Sequence, residues 1–120
     1  MYYGERFNTY THLAGTLLAL SGAAVLIVLG ALSGDVWKIV SFSIYSATLV
    51  LMYSLSTLYH GTRGRAKNVF RILDHNAIYL LIAGSYTPFV LVTLRGPWGW
   101  SLFGVVWGLA AAGIMQEFLL

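Results

Sequence analysis

LAGTLLALSGAAVLIVLGALSG, running from Leu13 to Gly34, contains no Asp, Glu, Lys, Arg or His. At about 1.5 Å of rise per residue, an α-helix of this length crosses the ~30 Å hydrocarbon core of a bilayer. Three further stretches share the property: Ile39 to Tyr59, Asn76 to Leu94, and Gly96 to Gln116. Amphipathic periodicity is weak within all four, as expected of helices that are apolar all round. The chain therefore reads as all-α, a multi-pass transmembrane helical bundle. It forms a single membrane domain over residues 1–120, with spans at approximately 13–34, 37–60, 74–95 and 97–118.

Composition agrees. The chain is 58% hydrophobic and 9% charged, with a mean hydropathy of +0.75; a soluble fold of 120 residues could not hide that much apolar surface. The lack of cysteine excludes disulfides and thiolate metal sites. A cleavable leader is not expected, because Glu5 and Arg6 precede the first apolar run and no small-residue cleavage site follows it.

The connections set an orientation. Ser33-Gly34-Asp35 and Arg95-Gly96-Pro97 are tight polar turns, whereas Gly61 to Ile72 carries Arg63, Arg65, Lys67 and Arg71 with no acidic residue. Lys and Arg concentrate in cytoplasmic loops, so loop 61–72 and the N-terminus are expected inside and the two short turns outside. Trp37, Trp98 and Trp100 then fall at the outer interface, where indoles settle. The basic loop suits a topology determinant or a contact with anionic lipid. A nucleic-acid role would need a soluble module, which the sequence does not provide.

Against this apolar background, Ser56-Thr57-Leu58-Tyr59-His60 places a serine and a histidine one helical turn apart at the end of the second span. Asp74 stands at the head of the third apolar run, at the same membrane face. Polar groups at membrane depth are costly and are usually retained for a use. Imidazole is a common zinc ligand, and a carboxylate can bind the ion directly or hold its water. Structural roles stand beside these: Ser56 bonded to a backbone carbonyl, His60 interfacial, Asp74 capping the helix it opens. His75 points about 100° away from Asp74 and reads as interfacial. Glu5, Asn8 and His12 share one face if their segment is helical, either as a surface helix or meeting the same polar site. Pro88, after Ser85-Tyr86-Thr87, predicts a kink in the third helix. Gly104-x-x-x-Gly108 is a close-packing motif for membrane helices, which thirteen glycines make easy to meet by chance.

Taken together, Glu5-x-x-Asn8-x-x-x-His12-x-x-Gly15, Ser56-x-x-x-His60, Leu73-Asp74-His75 with Ile78, and Gly84-Ser85-Tyr86-Thr87-Pro88-Phe89 resemble the hemolysin III family. This is the bacterial branch of the progestin and adipoQ receptor group, related to alkaline ceramidases. The resemblance spans nearly the whole chain. It implies a seven-helix protein of the bacterial plasma membrane with a cytoplasmic N-terminus and a zinc site near the cytoplasmic face. His60 would be one ligand, and Asp74 would contribute directly or through water, with Ser56 beside them. The other ligands would come from a His-x-x-x-His pair on the seventh helix, which these residues do not contain. The chain is accordingly expected to be an N-terminal portion that holds zinc weakly or not at all by itself.

Three functions fit the resemblance. The first is a zinc-dependent lipid amide hydrolase, or a receptor-like relative, with membrane lipid as substrate or ligand. There Asp74 would act as general base or water-orienting group and Ser56 as donor to the oxyanion. The second is a pore-forming or channel-like cytolysin, which the family name implies. The third is a membrane-homeostasis factor with a structural metal. No substrate or oligomeric state follows from the residues.

Overall fold

The computed structural model describes residues 1–120. A short 3₁₀ turn over Tyr3–Glu5 leads into α1, Arg6–Leu32. Next come α2, Val36–Gly61, and α3, Gly64–Pro88. A π turn over Phe89–Thr93 extends α3, and α4 covers Pro97–Leu119. All four helical rods are long and apolar enough to cross a membrane, and there are no strands.

Local chemistry explains most of the boundaries. α1 ends where Gly34 takes a φ of +70°, a left-handed conformation that suits glycine. Asp35 then caps α2 by accepting a hydrogen bond from the Trp37 backbone N–H at 2.9 Å. Pro97 opens α4, where its missing N–H removes nothing from the helix. Inside the rods, hydroxyls bond back to carbonyls one turn earlier, as Thr16 Oγ1 does to His12 O at 2.9 Å and Thr57 Oγ1 to Tyr53 O at 2.8 Å. Donors that lipid could not satisfy are thereby paired.

The kink expected at Pro88 takes the form of the π turn. Pro88 cannot donate, and the ladder resumes with a wider bond from Leu94 N to Phe89 O at 2.9 Å. Thr87 Oγ1 donates to Ala83 O at 2.8 Å and accepts from Trp107 Nε1 at 3.0 Å, tying the distorted segment to α4.

The start of α3 differs from expectation. The basic segment is not a loop: helix begins at Gly64 and runs through Arg65, Lys67 and Arg71. Asp74 therefore neither opens nor caps helix three; it sits ten residues inside α3, about 15 Å along it. The apolar run marks only what lipid covers, whereas Arg, Ala and Lys are good helix formers that carry the same rod into the interface.

The helices stand side by side in chain order, α1 on α2, α2 on α3, α3 on α4. The molecule measures 48 × 35 × 16 Å, a flat layer somewhat thicker than one helix of about 10–12 Å. α2 is flanked on both sides, and its small hydroxyl residues Ser41, Ser46, Thr48 and Ser56 are buried there. Gly84 lets α3 come close to α2: a Cβ at this position would lie 2.1 Å from Thr48 Oγ1. Gly104 and Gly108, by contrast, meet no neighbour within 4 Å. Large apolar side chains such as Leu18, Leu32 and Leu109 are exposed, which hydrocarbon accommodates and water would not.

Candidate functional site

At one end of the layer the last turn of α2 meets the N-terminal turn and the first turns of α3. His60 lies in that last turn of α2. Its Nδ1 donates to Glu5 Oε2, and the two side chains keep only 15% and 26% of their exposure. Lys67, one turn into α3, sets Nζ 3.7 Å from the same carboxylate oxygen and donates to Tyr59 O at 2.9 Å. The Lys67 ammonium also lies 4.6 Å from the centre of the Tyr59 ring.

The N-terminal strip is fastened to this junction. Arg63 donates through Nε and Nη2 to Met1 O at 3.0 and 2.6 Å, and its guanidinium covers the Tyr2 ring at 5.0 Å. Glu5 N bonds to Tyr2 O at 3.0 Å, closing the 3₁₀ turn that aims its carboxylate at α2. His12, two turns later, packs its ring 5.0 Å from that of His60 and donates from Nδ1 to Asn8 O at 2.7 Å. The face shared by Glu5, Asn8 and His12 is therefore turned toward α2 and meets the histidine site. Thr16 and Thr57 join α1 to α2 deeper in the layer, at 3.1 Å.

Of the residues singled out from sequence, Ser56 is buried at 4% exposure, one turn below His60. Asp74 is half-buried on α3. It enters none of the ion pairs, which are Glu5 with His60, Glu5 with Lys67, and Asp35 with Arg95. His60 takes its carboxylate from Glu5 rather than from Asp74. The helical spacing of Glu5 and His12 was the signal for that pairing, but spacing along α1 says nothing about which neighbour the face meets. His75 is exposed, edge-on to Tyr59 with ring centres 6.1 Å apart. No three His, Asp or Glu side chains converge into a metal cage.

At the opposite end Arg95 Nη2 reaches Asp35 Oδ2 at 2.6 Å and its guanidinium lies 5.4 Å from the Trp37 ring. Trp37 and Trp100 meet edge to face at 5.6 Å. The bond from Arg95 holds the Asp35 carboxyl below its ordinary value of 3.8.

Membrane-length helices throughout, with most of the charged groups near the two ends of the layer, define an integral membrane protein of helical type. The chain belongs to the Haemolysin-III related family, whose pattern matches residues 2–120. Hemolysin-3 of Bacillus cereus is 44% identical over 112 residues, 92% of this chain and 51% of the relative. The Hemolysin-3 homolog of Bacillus subtilis is 45% identical over 112 residues, 92% of this chain and 53% of the relative. The human Monocyte to macrophage differentiation factor is 29% identical over 123 residues, 98% of this chain and 50% of the relative. The chain spans about half the length of the curated relatives it matches. No solved structure gives a significant match.

Proposed function

We propose that the His60 end forms part of a zinc site in a membrane protein that acts on, or responds to, lipid. The observation that carries this reading is the Glu5–His60 pair. A carboxylate on one imidazole nitrogen fixes the tautomer and leaves the other nitrogen as the basic one, the arrangement that commonly supports a metal-bound histidine. His60 Nε2 would be a ligand, and Asp74 would add a carboxylate directly or through water. These donors fit zinc in kind but are too few for a complete site, since catalytic zinc takes about three protein ligands. The remaining donors that the family resemblance implies are not among these 120 residues. When bound, zinc there would supply Lewis-acid polarisation of water and of an ester or amide carbonyl. Asp74 would hold or accept the proton of the attacking water, and Ser56 would donate to the oxygen that gains charge. The apolar surroundings favour a lipid substrate.

The basic turns of α3 favour a cytoplasmic placement for this end, in a bacterial plasma membrane. A pore is less favoured, because the hydroxyls of α2 are buried against neighbouring helices rather than lining a channel. The test compares zinc content, lipid amide hydrolysis and ion flux of purified protein with its His60→Ala and Asp74→Asn variants. Zinc and hydrolysis lost in both variants, with folding intact, support the reading. Ion flux indifferent to both changes, with no hydrolysis at all, would sink it in favour of a channel. For the 120-residue chain alone, sub-stoichiometric zinc is expected. Full occupancy abolished by His60→Ala would show that these residues suffice.

A further inference from the structure

Five of the seven Lys and Arg side chains belong to the His60 end of the layer: Arg6, Arg63, Arg65, Lys67 and Arg71. Three carboxylates, Glu5, Asp74 and Glu117, accompany them. As sequence these cations are alike, but their surroundings divide them. Lys67 is used inside the chain, 3.7 Å from Glu5 Oε2, bonded to Tyr59 O and facing the Tyr59 ring. Arg63 is used as well, with two bonds to Met1 O and its guanidinium over the Tyr2 ring. Arg6 lies over the Tyr3 ring at 4.8 Å.

Arg65 and Arg71 differ. Both are exposed, and neither enters any ion pair or cation–ring contact. Glu5 is already held by His60 and Lys67. Glu117 borders the same cleft as Arg71 but forms no ion pair with it.

The depth of these two charges follows from their neighbours. Val69, Ile72 and Leu73, on the same turns of α3, are 55%, 45% and 38% exposed. Apolar side chains laid open among arginines mark the band where hydrocarbon gives way to headgroups. The aliphatic stem of an arginine packs along such a surface while its guanidinium reaches the level of the phosphates. A cation there with no carboxylate of its own is complemented by an anionic headgroup, and a guanidinium can grip two phosphate oxygens at once.

We propose that Arg65 and Arg71 form a contact surface for anionic phospholipid, whereas Arg63 and Lys67 serve the fold of the chain itself. The proposal does not depend on the zinc reading, since neither His60 nor Asp74 takes part.

The test is native mass spectrometry of the purified protein in detergent, offered equimolar phosphatidylglycerol and phosphatidylcholine of identical acyl chains. Phosphatidylglycerol is expected to be retained about tenfold over phosphatidylcholine at low salt. Arg65→Gln and Arg71→Gln should each lower that preference about three- to fivefold, and the two together should bring it near parity. Glutamine is a good helix former, so thermal unfolding of these variants should match the native protein. Lys38→Gln removes the same charge at the opposite end, in the first turn of α2, and should leave the preference unchanged. Equal retention of the two lipids by the native protein overturns the proposal, as does a preference that survives the double variant. A loss with Lys38→Gln as large as with either arginine shows that net charge alone acts, and overturns it too. Should the double variant fail to fold, salt decides with the native protein: a preference that collapses at high ionic strength supports the contact, and one indifferent to salt overturns it.

Discussion

Glu5 and His60 lie 55 residues apart, yet His60 Nδ1 donates to Glu5 Oε2 where the N-terminal turn crosses the end of α2. An ionised carboxylate can only accept, so Nδ1 carries the proton of this bond. Lys67 stands on the same oxygen, so three segments of the chain converge on one carboxylate.

Removing that carboxylate should loosen the junction and release the tautomer. Glu5→Ala is expected to destabilise the protein by about 1–2 kcal/mol, while Glu5→Gln, which keeps an acceptor, should cost less. Thermal unfolding in detergent measures the first effect, and ¹⁵N chemical shifts of the His60 ring report the second. An unchanged tautomer in Glu5→Ala would show that the carboxylate does not set it.

Gly84 packs closely against Thr48 where α3 meets α2. Gly84→Ala would place its methyl 2.1 Å from Thr48 Oγ1 and 2.9 Å from Thr48 Cβ and Cγ2, so a loss of about 2 kcal/mol or more is expected. Thr48→Ala in the same chain should recover part of it, since the Cβ remains close. A Gly84→Ala protein with native thermal stability would contradict the packing.

Thr87 both satisfies Ala83 O and receives the Trp107 indole. Thr87→Val keeps the shape but orphans the indole N–H, at a cost of about 0.6–1.7 kcal/mol in a membrane helix pair. Unfolding measurements check the energy, and tryptophan Raman bands check the indole bond. Bands identical to those of the native protein would show that the indole is not held by Thr87.

The Asp35–Arg95 pair ties the two short turns together, and its pH dependence has a defined sign. The folded state lowers the Asp35 carboxyl below 3.8. Its contribution is therefore fully present above that value and is lost as the pH falls through the lower, folded one. The gap in melting temperature between native protein and Asp35→Asn should be constant near neutrality and shrink under strong acid. High salt should narrow it at any pH, because the guanidinium is partly exposed. A gap that widens on acidification would reverse the assignment.

The four rods were legible in the sequence because each property that defines them is local. An uncharged run of membrane length has few alternatives to a helix in lipid, and Asp35, Gly34 and Pro97 act within a residue or two of themselves. The position of His60 at the end of α2 followed from the same counting. The start of α3 did not, because hydropathy reports where lipid begins and not where helix begins. Arg65, Lys67 and Arg71 are as helical as they are hydrophilic, and that carried Asp74 from a helix start into a helix interior.

By itself the sequence determined the number of rods, their order, their turns and the end at which Ser56, His60 and the basic residues gather. Hydrophobic length and turn chemistry decide these within one segment at a time. Only the tertiary structure decided that Glu5, rather than Asp74, holds His60 and that His12 packs against it. These depend on which helix faces meet and at what height. That is set by close packing at Gly84 and by the distortion after Pro88, where side chains far apart in the chain compete for the same few ångströms.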